Sequence, residues 1–170
     1  MDLDGDGIKD IISGNYVTDN DKGIGSVHIL KGLGEGQYAA ATEVLNLKGK
    51  PVIAAKTGDD ETYDSGQICI HPFAVDWEGD GDLDFVIGNF IGSFTLVLNE
   101  KKKDAKENAF QAQGTLIKID GSDQVLAAAG QFHSAPFVID WDGDGDLDLL
   151  AATVESPLSD PVGNPPALPG

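Results

Sequence analysis

Four or five carboxylates set within nine residues repel one another, and this chain repeats that arrangement three times. The segments are DLDGDGIKD at Asp2–Asp10, DWEGDGDLD at Asp76–Asp84 and DWDGDGDLD at Asp140–Asp148, starting 74 and then 64 residues apart. Their common pattern is D-x-[DE]-G-D-G-x-x-D. Carboxylates at positions 1, 3, 5 and 9 converge on one centre only if the backbone curls tightly between them. Glycines at positions 4 and 6 permit that curl, because they populate φ > 0 freely. A centre ringed by oxygens alone, with six to eight donors at about 2.3–2.6 Å, suits calcium. Magnesium keeps waters in a tighter octahedron, and zinc takes His or Cys. The expected donors are Asp2, Asp4, Asp6, Ile8 and Asp10 in the first loop, and Asp76, Glu78, Asp80, Asp82 and Asp84 in the second. In the third they are Asp140, Asp142, Asp144, Asp146 and Asp148. At position 7 (Ile8, Asp82, Asp146) the side-chain type varies, as expected where the backbone carbonyl is the ligand. Two to three Ca2+ ions are expected, and three would take the formal charge of −18 to −12. Their binding is then linked to folding of the loops and of the strands they join.

The elements that hold these loops read as short β-strands. DIISGN, DFVIGN and DLLAAT follow the three loops, and the first two close on Gly14-Asn15 and Gly88-Asn89, a turn signal. Alternating runs come next, GSVHILKG and GSFTLVLN. Later runs are YAAATEVLNL (Tyr38–Leu47) and FQAQGTLIKI (Phe110–Ile119), and PFAVD and PFVID precede the second and third loops. One period is strand, acidic loop, strand, turn, strand, longer loop, strand. The fold class expected is all-β, a partial β-propeller of four-stranded antiparallel blades with the acidic loop between first and second strands. No stretch shows a convincing helical period. The strands number nine: three after the first motif, four around the second and two around the third. The organisation expected is a partial blade with its connecting loop over 1–71, a complete blade with its loop over 72–135, the start of a third over 136–153, and a Pro-rich irregular tail over 154–170. That is too few strands for a closed ring and leaves sheet edges open, so the chain is expected to be part of a longer array or to complete itself with copies or partners. EKKKDAKEN (Glu100–Asn108) and TGDDETYDSG (Thr57–Gly66) read as polar surface loops.

Composition limits the partners. Acidic residues outnumber basic ones 29 to 11, which argues against a nucleic-acid or anionic-membrane partner, since either needs a basic face. The three motifs hold 14 of those 29 acidic groups, so the charge is local chemistry rather than a general surface property. No apolar run reaches the roughly 18 residues of a membrane span, and no signal peptide follows Met1. A single cysteine, Cys69, excludes an intrachain disulfide. It lies in the alternation QICI and is expected as a buried strand residue. The EF-hand reading fails because position 12 is Ser13, Ile87 or Ala151 rather than Glu, and because strands flank the loop. A dockerin-like reading fails for the same reason.

Loops of the form DxDGDGxxD entering a VIGN-like strand resemble those of the FG-GAP/VCBS repeat proteins, whose relatives include the integrin α-subunit propellers. The PF(A/V)(V/I)DW(E/D)GDGDLD version is similar to the VCBS repeats of large secreted bacterial proteins. The resemblance runs to about Thr153. It implies a seven-bladed propeller in the complete protein, with structural calcium in the loops at the residues named above. It also implies an extracellular or cell-envelope scaffold for adhesion or ligand binding, its partner a protein or glycan. The alternative is part of a carbohydrate-active propeller enzyme, polysaccharide lyase-like, or a lectin. Glu78 departs from the family's Asp at position 3, adding a methylene that crowds or weakens the second site.

Trp77 and Trp141 share loop position 2 with Leu3, which favours packing over a sugar platform. Phe73 and Phe137 are expected in the core. His71 directly precedes Pro72 whereas His133 lies three residues before Pro136, so the histidines do not align, and no Ser–His–Asp or Cys–His catalytic geometry follows from them. GLGEGQY reads as a hairpin turn rather than a phosphate loop.

Overall fold

The computed structural model describes residues 1–16, 24–56, 65–102, 105, 107–118 and 131–155. Most of the polar loop Thr57–Gly66, Ile119 at the end of the last alternating run, three residues of EKKKDAKEN and the tail from residue 156 onward lie outside the described residues. The strands are β1 (Ile11–Gly14), β2 (Val27–Leu30), β3 (Gly32–Gly34), β4 (Gln37–Tyr38), β5 (Thr42–Glu43), β6 (His71–Val75), β7 (Asp84–Gly88), β8 (Phe94–Val97), β9 (Thr115–Leu116), β10 (Gln131–Ile139) and β11 (Asp148–Glu155). The fold is all-β, every strand pairing is antiparallel, and the one helical element among the described residues is a 3₁₀ turn at Ser65–Gln67.

Three sheets follow one another along the chain: β1-β2-β5, the meander β6-β7-β8-β9, and the pair β10-β11. The acidic loops precede β1 and join β6 to β7 and β10 to β11. GLGEGQY forms a separate hairpin, β3-β4, turning at Gly34 and Gly36, whose φ values of 84° and 74° demand glycine. The ten-residue runs at Tyr38–Leu47 and Phe110–Ile119 form far less strand than their alternation suggests. Within them β5 and β9 pair over two residues each and Tyr38 ends β4, while Leu45–Pro51 and Asn99–Phe110 form isolated bridges. Gly114 explains part of this: a Cβ there would meet the Thr95 and Val97 side chains at 2.4 and 2.8 Å, so that edge is pressed against β8 with no room for a regular strand residue.

Alternation along β7 decides how the sheets stack. Phe85 and Ile87 point into one core with Val27 and Ile29 of β2, Val52, Ile70, Val97 and Phe110. Val86 points the other way, into a second core with Phe94, Val138, Phe73, Val75 and Leu149. The middle sheet is therefore covered on both faces, the first sheet on one side and β10-β11 on the other. All five residues of β7 are buried, and Phe85 stacks on Phe110 with centroids 4.6 Å apart.

The junctions between sheets repeat atom for atom. Cys69 and Ile70 donate their N–H groups to the carbonyls of Tyr16 and Asn15; His133 and Ser134 donate theirs to Phe90 and Asn89. The backbone passes so close that a Cβ on Gly14 would meet the Ile70 oxygen at 1.9 Å, and one on Gly88 the Ser134 oxygen at 2.0 Å. The Gly-Asn pairs are thus docking points for the next segment. Two expectations change here. Cys69 is half-buried, outside any strand and at φ 51°, because the chain reverses just before β6 to make this junction. Phe137 is 50% exposed and meets Phe73 edge-on, because no further sheet among the described residues lies on its face of β10.

Candidate metal centre: three acidic loops

Each loop is built by carboxylates capping the backbone that follows them. At position 1, Asp2 accepts from Gly5, Asp6 and Gly7 at 2.8, 3.1 and 2.8 Å. Asp76 accepts from Asp80 and Gly81, both at 3.0 Å, and Asp140 from Gly143 and Gly145 at 2.7 and 3.2 Å. At position 5, Asp6, Asp80 and Asp144 each accept the N–H two residues on, from Ile8, Asp82 and Asp146. These turns need left-handed backbone at positions 4 and 6. Gly5, Gly7, Gly79, Gly81, Gly143 and Gly145 take φ between 72° and 97°, with open space where a Cβ would stand. The demand is conformational rather than steric.

Position 9 closes the loop. Asp10, Asp84 and Asp148 each accept the N–H of position 2, from Leu3, Trp77 and Trp141, at 2.8–2.9 Å. In the first two loops the second oxygen also accepts a backbone N–H from across the sheet, Gly32 for Asp10 at 2.9 Å and Asn99 for Asp84 at 2.7 Å. Asp10 and Asp84 are buried accordingly. Burial pushes the Asp84 carboxyl up, against the pull of the Asn99 and Trp77 N–H groups.

The loops differ in how far their carboxylates converge. Asp2, Asp4 and Asp6 offer oxygens all within 4.8 Å of one another, as do Asp140, Asp142 and Asp148. Among the described residues the second loop brings together no such trio. At position 3, Asp4 and Asp142 accept from Asp6 and Asp144 at 3.3 and 3.2 Å, while the longer Glu78 makes no such bond. The second loop has a different mark: Asp82 Oδ1 is buried with no hydrogen-bond partner. Burial, then the charges of Asp80 and Asp84, raise the Asp82 carboxyl to about 6. In the first loop the Lys31 ammonium hydrogen-bonds Asp4 and holds that carboxyl below its ordinary range. Oxygen-only donors, a curled backbone and a buried orphan oxygen fit a hard cation such as calcium. Ile8, Asp82 and Asp146, expected to give carbonyls, follow position 5 within the same turns.

Trp77 packs into the second core whereas Trp141 is 72% exposed, so the shared loop position buries its side chain only where a further sheet lies against it. Sequence comparison of the histidines also missed a grouping: Cys69, His71 and His133 come together. Aligning the repeats on Pro72 and Pro136, 64 residues apart, places Cys69 opposite His133, and that is the signal that was there to be read. Burial pushes the Cys69 thiol up. Burial, then the facing His133, lowers the His71 imidazole.

Comparison of the chain with protein-family models, with curated proteins and with solved structures finds no match in any of the three.

Proposed function

We propose that the chain is a calcium-binding repeat module of the FG-GAP/VCBS kind, its sheets successive blades of a propeller, working as a non-catalytic scaffold for adhesion or ligand binding outside the cell or in its envelope. The observation that carries this reading is the threefold recurrence of one hydrogen-bonded loop, with carboxylates at positions 1 and 5 capping the same backbone groups each time. Calcium would be held by the side chains of positions 1, 3, 5 and 9 and the carbonyl of position 7. It would neutralise the packed carboxylates and fix the turn between two strands, supplying structure rather than chemistry on a substrate. The extracellular setting follows from supply, since loops of this kind fill where free calcium is roughly millimolar.

Calorimetric titration of the EDTA-stripped chain with Ca2+, with parallel circular dichroism, tests the reading. Two or three sites are expected, with the melting temperature rising as calcium is added, and Asp144→Ala should remove one site. A folded chain that takes up no calcium would overturn it.

A further inference from the structure

We infer that Cys69, His71 and His133 form a metal site of a second kind, for a zinc-class divalent ion, clamped between the middle sheet and β10-β11. Cys69 Sγ stands 3.0 Å from His133 Nδ1 and 3.6 Å from His71 Nε2, and the three donor atoms lie within 4.8 Å of one another. A tetrahedral zinc ion, with bonds of about 2.3 Å to sulfur and 2.0–2.1 Å to nitrogen, sets sulfur and nitrogen donors roughly 3.6 Å apart. One thiolate and two imidazoles are a borderline-soft set, wrong for calcium and right for zinc. They leave the fourth position to water or another ligand. All three residues are half-buried, so an ion can enter.

The backbone is bent at both ends of the cluster to bring the donors together. Cys69 and His133 both take left-handed φ, 51° and 56°, which side-chain-bearing residues seldom adopt. β10 carries a bulge between Phe132 and Ala135, and the extra residue turns His133 out of the pleat. The N–H groups of Cys69 and His133 are fixed on Tyr16 and Phe90, so both residues are held at equivalent sheet junctions. Phe90 meets the His133 ring edge-on, centroids 4.8 Å apart, and walls one side. His71, at the start of β6, supplies the third donor from the strand that lies against β10. An ion here would pin β10 to the middle sheet, joining residues 64 apart in sequence.

The inference is independent of the acidic loops and is tested with those loops saturated. The reduced full chain in excess Ca2+ is titrated with Co2+ and followed by absorption. One equivalent is expected to bind with a thiolate-to-cobalt charge-transfer band and the strong visible bands of tetrahedral cobalt, all bleached by Zn2+. Carboxylates give no such charge-transfer band. Cys69→Ser should abolish it. His71→Gln and His133→Asn, the latter keeping a residue that tolerates left-handed φ, should each weaken binding at least roughly tenfold, with circular dichroism unchanged. Absence of the band in the unsubstituted chain overturns the proposal. So does a band that survives both histidine substitutions, or uptake of Cu+ with neither Co2+ nor Zn2+ bound.

Discussion

The loops at Asp76–Asp84 and Asp140–Asp148 are nearly the same in sequence and share the hydrogen bonds that positions 6, 7 and 2 donate to the carboxylates at positions 1, 5 and 9, yet they stand on sheets in opposite circumstances. The middle sheet is covered on both faces, and β7 is buried throughout. In β10, Pro136 and Val138 are buried while Phe137 and Ile139, alternating with them, are exposed. The loop geometry is therefore local, set by Asp and Gly at fixed spacing, whereas the burial of a sheet is set by its neighbours.

The sharpest way to break this comparison is to truncate the same residue in both sheets. Ile87→Ala removes a fully buried side chain and should cost about 2–5 kcal/mol in urea denaturation. Ile139→Ala, on the open face, should cost less than about 1 kcal/mol. Equal losses would mean that the open face is covered in solution. The second pair concerns position 9. Asp84→Ala strips the partner from two backbone N–H groups at a buried site and should cost about 2–4 kcal/mol, with Asp148→Ala clearly milder in the same assay. Third, Glu78→Asp should restore a position-3 carboxylate of the length found at Asp142 and tighten calcium binding at the second loop several-fold by calorimetry. Unchanged affinity would mean that the loop absorbs the extra methylene. The smallest effect concerns pH. Folding raises Asp82 from its ordinary 3.8 to about 6, so the folded, calcium-free chain binds more protons than the unfolded one in that interval. Its stability should fall as pH rises through this interval and remain penalised above it. Asp82→Asn should flatten that slope in thermal melts in EDTA, and calcium should flatten it in the unsubstituted chain.

The acidic loops and the all-β class could be read from residue types because their causes are local: Asp and Gly at fixed spacing, Val, Ile and Phe in alternation. That Cys69 lies outside a strand was not readable from the QICI alternation, since its left-handed φ belongs to a junction with Tyr16 far back in the chain. His133 was hidden by the bulge in β10, which adds a residue and breaks the period-2 reading. The half-exposure of Phe137 follows from what does or does not lie against β10, which no local pattern records. The short pairings of β5 and β9 follow from edge positions rather than from composition.

The glycine junctions carry a consequence for how the molecule is made. In both, the later segment closes on the earlier one: Ile70 onto Gly14-Asn15, then Ser134 onto Gly88-Asn89. A ribosome delivers these partners in that order, so each completed sheet is a template waiting for the next segment to emerge. Until Ile70 or Ser134 has emerged, the Gly-Asn pair it docks on, and the sheet face beside it, stand open to solvent.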